Sequence, residues 1–110
     1  MVNPQKMRCS HILLSWDEAI NSTHSRDLAF AIMDAKDIIE SLLRGGYTWK
    51  VAVKENSACD SWVKGGDLGW FSADEITSEI WSACLITEID NLHPEPIQTP
   101  FGVHILYRTG

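Results

Sequence analysis

The sequence predicts an α+β domain with a mostly antiparallel sheet, and two observations carry that reading. Apolar residues alternate over short segments near the two ends of the chain, whereas apolar spacings of three and four residues fill most of the stretch between them. Glycine-bearing turns separate the segments: Gly45-Gly46, the run Gly65-Gly66-Asp67-Leu68-Gly69-Trp70-Phe71, and Thr99-Pro100-Phe101-Gly102. The order is strand, two or three helices, strand, helix, hairpin.

Met7 to Leu14 reads as a strand, with Met7, Cys9, His11 and Leu13 on one face and Ile12 and Leu14 on the other. Ser25 to Leu43 reads as an amphipathic helix. Its stripe is Leu28, Ile32, Ala35, Ile39, Leu42 and Leu43, with Asp27, Asp34, Lys36 and Asp37 off it, and Gly45-Gly46 ends it. Trp49, Val51, Ala52 and Val53 indicate a short second helix closing near Asn56, followed to Lys64 by a polar loop with one helical turn. Leu68 to Phe71 is a short strand. Asp74 to Leu85 reads as helix, because Asp74, Thr77 and Ser78 offer polar first-turn groups while Ile76, Ile80, Ala83 and Cys84 fall at helical spacing. Ile97–Thr99 and Val103–Tyr107 form a hairpin, with Pro100 at the second turn position and Gly102 at the fourth.

With 110 residues, 45 % of them apolar and 22 % charged, the chain makes one domain with one core. It has no repeat or linker. The longest apolar runs, such as Ile12-Leu13-Leu14, fall far short of the roughly 20 residues of a membrane span. Met1-Val2-Asn3-Pro4 lacks the basic patch and apolar stretch of a secretory leader, so a cytoplasmic location is expected; a monomer is expected as well. Three cysteines without C-x-x-C spacing argue for a reducing compartment and against a disulfide framework. A net charge of −6, spread along the chain, repels phosphate backbones and excludes nucleic acid and anionic membranes as partners.

Cys9, His11, Cys59 and His104 are the candidate reactive groups. If the first and last strands are neighbours, His11 and His104 sit opposite each other on one face, beside a glycine-rich apolar pocket. Two other chemistries use the same residues. Cys9-x-His11 with Cys59 and His104 offers zinc the N and S ligands it prefers, but C-x-H is a weak spacing and no second ligand stands near Cys59. Cys59 with His104 and Thr99 imitates a nucleophile, base and orienting group, but nothing around Cys59 resembles a helix N-terminus that would lower its pKa. His24 and His93 have polar or proline-rich neighbours and read as solvent-exposed, while Trp62 and Trp70 lie close to the expected pocket in sequence.

Four motifs, Cys9-Ser10-His11-Ile12-Leu13, Asn56-Ser57-Ala58-Cys59, Gly65 to Phe71 and Pro96 to Ile105, together resemble the parvulin-type peptidyl-prolyl cis/trans isomerases. The resemblance runs from about Met7 to Thr109 and makes residues 7–110 the domain, with 1–6 an N-terminal extension. It implies an FKBP-like four-stranded antiparallel sheet surrounded by about four helices, ordered β-α-α-α-β-α-β-β. It also implies isomerisation of X-Pro bonds in proline-containing polypeptides, with no cofactor, no metal and no covalent intermediate. His11 and His104 match the family's paired histidines, Cys59 its Cys or Asp position, and Thr99 the hydroxyl that bonds the pair. Leu68 and Phe101 match the proline pocket. After Phe71 the chain departs from the family pattern: an ungapped count puts Ile76 and Ile80 at the pocket's Met and Phe positions, and a one-residue shift offers Trp81 in place of Ile80. The competing reading is a catalytically weak binding module or chaperone of the same fold.

Phospho-specific parvulins carry a basic loop after the first strand, since a phosphate near −2 needs charge-assisted bonds from Arg or Lys. Here that strand runs into Ser15-Trp16-Asp17-Glu18, with no Lys or Arg before Arg26. The resemblance therefore implies a type that is not phospho-specific.

Overall fold

The computed structural model describes residues 5–15 and 27–110, with Asp60 described in its backbone only. Trp16-Asp17-Glu18, His24 and Ser25-Arg26, on which expectations were placed above, lie outside the described residues.

The elements are β1 (Met7–Leu14), α1 (Leu28–Leu43), α2 (Trp49–Asn56), a 3₁₀ helix (Asp60–Lys64), β2 (Asp67–Phe71), α3 (Ser78–Leu85), β3 (Ile97–Thr99) and β4 (Gly102–Arg108). One antiparallel sheet holds all four strands in the order β2-β1-β4-β3. The expected class and element order are found, with three α-helices among the described residues and the 3₁₀ helix in the place of the expected third.

Helix α1 starts where Asp27 caps it, the carboxylate accepting from Phe30 N at 2.9 Å. Its buried residues are Ala31, Ala35, Ile38 and Ile39. The expected stripe is thus corrected at its end, where Leu43 is 65 % exposed. With Ala52 and Val53 of α2, these side chains cover Ile12, Leu14, Val103 and Ile105 on one face. On the other face α3 brings Ile80, Ala83 and Cys84 over Met7, Cys9, Phe71, Ile97 and Leu106.

The helix expected from Asp74 begins only at Ser78, with Thr77 as its cap residue. Ser72 captures the intervening carboxylates, its N–H donating to Glu75 Oε1 at 3.0 Å and its hydroxyl to Asp74 Oδ1 at 2.5 Å. Such side-chain bonds compete with helix formation and hold 73–76 as a turn.

His93 corrects the exposed reading: it is 8 % exposed. Leu92 bridges to Tyr107 and His93 N donates to Leu106 O at 2.8 Å, which lays the segment along β4 and puts the imidazole 2.9 Å from Thr87 Oγ1.

Candidate active site

The site forms where β1 and β4 run out from under α3. The register pairs His11 with Leu106 and Leu13 with His104, so the two histidines are diagonal neighbours on one face and not directly opposite, as expected. Their rings stack with centroids 5.1 Å apart, and the two Nδ1 atoms meet at 2.9 Å. Thr99 Oγ1 lies 2.6 Å from the far nitrogen of His104, Nε2, and accepts from Phe101 N at 3.2 Å. The chain of hydrogen bonds runs from Phe101 N–H to Thr99 Oγ1, on to His104 Nε2, and from His104 Nδ1 to His11 Nδ1, the last two in either direction according to the tautomer of His104. It ends on His11 Nε2, which is buried without a hydrogen-bond partner among the described residues.

Above the imidazoles opens a cavity of about 500 Å³. Leu68, Ile76, Ile80 and Phe101 form its apolar wall, with Leu13, Cys59 and the two histidines lining the rest of the floor and Asp74, Glu75 and Thr77 one side. All four residues expected in the proline pocket line it. Trp81 does not; it packs its edge on Phe71, with ring centroids 6.1 Å apart.

A bulge delivers Leu68. Residues Leu68 and Gly69 together oppose Cys9, because the pairing shifts from Arg8↔Trp70 to Ser10↔Asp67, and Gly69 takes a left-handed φ of +73° at the shift. Without the extra residue, alternation from buried Phe71 would send Leu68 to the same face as Trp70, which is 57 % exposed.

The PPIC-type PPIase domain family, a rotamase family, matches residues 11–110. The chain belongs to the PPIC-type peptidyl-prolyl isomerase family. It is 27 % identical to the peptidyl-prolyl cis-trans isomerase ESS1 of Saccharomyces cerevisiae over 98 % of this chain and 68 % of that protein. It is 32 % identical to foldase protein PrsA 2 of Bacillus anthracis over 96 % of this chain, which spans only 31 % of the foldase. Among solved structures, the peptidyl-prolyl isomerase ESS1 of Candida albicans superposes on all of this chain and 66 % of its own, with a TM-score of 0.91 at 29 % identity. The domain is a parvulin-type peptidyl-prolyl cis/trans isomerase.

In this isomerase burial keeps both imidazoles neutral. It pushes His11 down to about 4, and burial together with the neighbouring His11 pushes His104 down to about 3. A neutral pair suits the Nδ1···Nδ1 contact, which needs one donor and one acceptor.

Cys59 lines the cavity but is not bonded to the histidines in the hydrogen bonds of the described residues; its sulfur accepts from Ser61 Oγ at 3.1 Å. It also stands at the N-cap of the 3₁₀ helix, correcting the expectation that no helix start lies nearby, although its side chain makes no capping bond. Among the described residues no cluster of His, Cys, Asp and Glu suits a metal ion.

Trp62 and Trp70 do not line the cavity. Trp62 belongs to a separate surface cleft with Trp49 and Lys50, and Trp70 packs over Gly110.

Several site residues escaped the sequence reading. Ser57 Oγ accepts from Leu13 N at 3.1 Å and from Cys59 N at 3.4 Å, and Ala58 N donates to Leu13 O at 2.7 Å, clipping the Cys59 loop to β1. Gly66 O accepts from His11 N at 2.9 Å, and a Cβ on Gly66 would stand 2.3 Å from His11 O. The glycine run thus secures His11 by backbone approach. Thr77, whose Oγ1 is buried without a partner among the described residues, and Asp74 carry the expectation of helix-start chemistry, and Glu75 carries none. The signal that could have found them is Ser72-x-Asp74-Glu75, a turn-forming cluster directly after a strand.

Proposed function

We propose that this isomerase holds the proline ring of its substrate against Leu68, Ile76, Ile80 and Phe101. His11, His104 and Thr99 then act on the adjoining amide, with Cys59 contributing an electrostatic and not a nucleophilic role. Rotation about a peptide bond meets a barrier of about 18–20 kcal/mol because resonance is lost, and no bond has to break. The catalyst needs to fix the ring, lower the polarity around the amide and favour its twisted state. The observation that carries the reading is the buried Thr99–His104–His11 chain, whose two histidines line an apolar cavity and whose last nitrogen, His11 Nε2, is unpaired among the described residues. A neutral, preorganised set of hydrogen bonds supplies a fixed field without reorganising during rotation.

The same reading needs no cofactor, no covalent intermediate and no phosphate before the proline. No Lys or Arg is among the described residues lining the cavity, which is what a phosphate would require. It takes residues 7–110 as the catalytic domain, with 1–6 an extension, acting as a cytoplasmic monomer on proline-containing polypeptides. Free Cys9, Cys59 and Cys84 accord with a reducing compartment. No helix among the described residues is long and apolar enough to cross a membrane.

The test is NMR exchange spectroscopy on a Leu-Pro peptide and its pSer-Pro counterpart. Accelerated exchange of Leu-Pro, with pSer-Pro slower, is expected. Faster turnover of pSer-Pro would overturn phosphate independence. Binding of both without exchange would leave the domain a holder of proline segments.

A further inference from the structure

Asp74 and Glu75 are the only charged side chains among the described residues that line the cavity. Everything else around it is apolar, a neutral imidazole, a thiol or a hydroxyl. The two carboxylates are held in place: the Ser72 hydroxyl lies 2.5 Å from Asp74 Oδ1 and 2.7 Å from Glu75 Oε1, while Ser72 N donates to the same Oε1 at 3.0 Å. Glu75 N in turn donates to Ser72 O at 3.0 Å, closing the turn.

The bonds from Ser72 keep both carboxyls below their ordinary range, so each is ionised at neutral pH. Lys6 is near enough to favour both charges as well, and two carboxylates against one ammonium leave this rim negative. A carboxylate accepts at both oxygens, so one already bound by Ser72 can still take a charged donor. An independent mark of ligand reception lies on the same cavity: His11, 4 % exposed, has Nε2 buried and unpaired.

We propose that Asp74 and Glu75 are specificity residues of this pocket, selecting polypeptides that carry Lys or Arg within two residues of the proline. The inference rests on the isomerase reading of the cavity and names the substrate class that reading leaves open. A flanking ammonium or guanidinium meets carboxylates whose side-chain freedom is already spent, so less entropy is lost on pairing than with two mobile side chains. A flanking Glu meets like charge.

The test compares otherwise identical proline peptides with Lys, Gln or Glu immediately before or immediately after the proline. Both kcat/KM, by NMR exchange, and Kd, by chemical-shift titration, are measured at low and high salt. At low ionic strength the Lys peptide should exceed the Glu peptide roughly tenfold in at least one position, the gap closing in high salt. Asp74→Asn with Glu75→Gln keeps an acceptor oxygen for Ser72 and removes the charge; it should bring the Lys-to-Glu ratio to about one. Lys6→Ala, in an exposed residue outside the cavity, should widen the ratio. Equal treatment of the three peptides by the wild type, or a preference that survives the double substitution, would overturn the proposal. Charge-selective binding without any exchange would sustain it while removing the catalytic reading.

Discussion

On one face of the sheet, Ile12, Leu14, Val103 and Ile105 are at most 1 % exposed and pack in one apolar cluster with Ala31, Ala35 and Ala52. On the other face the same two strands contribute Met7, Cys9 and Leu106 and then, further along, His11, Leu13 and His104. The difference follows from the extent of the cover. Helix α1 has 16 residues and α3 has 8, spans of about 24 and 12 Å at the helical rise, against about 27 Å for the 8 residues of β1. Helix α1 lies on β4 and α2 on β1, so two helices seal that face, whereas α3 alone leaves the strand ends of the other open to the cavity. One face supplies stability, and the other combines stability under α3 with polar chemistry beyond it.

Paired truncations sharpen the contrast most. Ile12→Ala removes a fully buried side chain beneath α1 and should cost about 2–5 kcal/mol of stability, leaving the exchange rate per folded molecule near that of the wild type. His104→Ala should cost less stability, about 1–2 kcal/mol, but lower kcat/KM about a hundredfold, since its network acts mainly in the transition state. Urea melts and exchange spectroscopy on both variants decide the matter. Equal loss of folding and activity in His104→Ala would return that histidine to a packing role.

Acidification separates the faces next. His11 and His104 stay neutral down to about 4 and about 3 in the fold, but protonate near pH 6.5 in the unfolded chain. Between these limits the unfolded state binds more protons, so stability is complete above pH 6.5 and falls as the pH drops. His11 alone should account for about 2 kcal/mol by pH 5. His93, lowered mainly by burial and partly offset by Glu95, acts in the same sense. Urea midpoints at pH 7 and pH 5 measure the sum, and His93→Gln subtracts one contributor. Turnover of the folded enzyme should show no titration near 6.5, and a midpoint there would mean the pair is more solvated than its burial implies.

The smallest effect expected is at Cys59, beside the histidines in the cavity lining. Cys59→Asp should retain most activity and Cys59→Ala lose about tenfold in kcat/KM, the scale of one electrostatic contact. A Cys59→Asp variant as inactive as Cys59→Ala, with a thioester trapped on the wild type, would defeat the noncovalent assignment.

Most of the architecture was legible because it rests on local signals. Alternation in β1, the apolar stripe of α1 and the two-residue turn Pro100-Phe101 each depend on neighbours a few residues away, whereas Leu68, Ile76, Ile80 and Phe101 were legible only through the family resemblance. The start of α3 was misread because Asp74 is equally good as a helix-start residue and as a turn acceptor, and Ser72, which bonds it and Glu75, decided between the two. His93 was misread because its burial comes from β4, whose Leu106 takes its N–H.

By itself, then, the amino-acid order determined the α+β class, the element sequence and the residue types available for chemistry, since periodicity and turn chemistry act over short range. Only the tertiary structure decided the diagonal offset of His11 and His104, the inward turn of Leu68 at the Gly69 bulge, the backbone approach of Gly66 to His11 and the carboxylate rim. Those depend on register between strands and on where α3 stops, quantities set by packing between residues as far apart as His11 and His104.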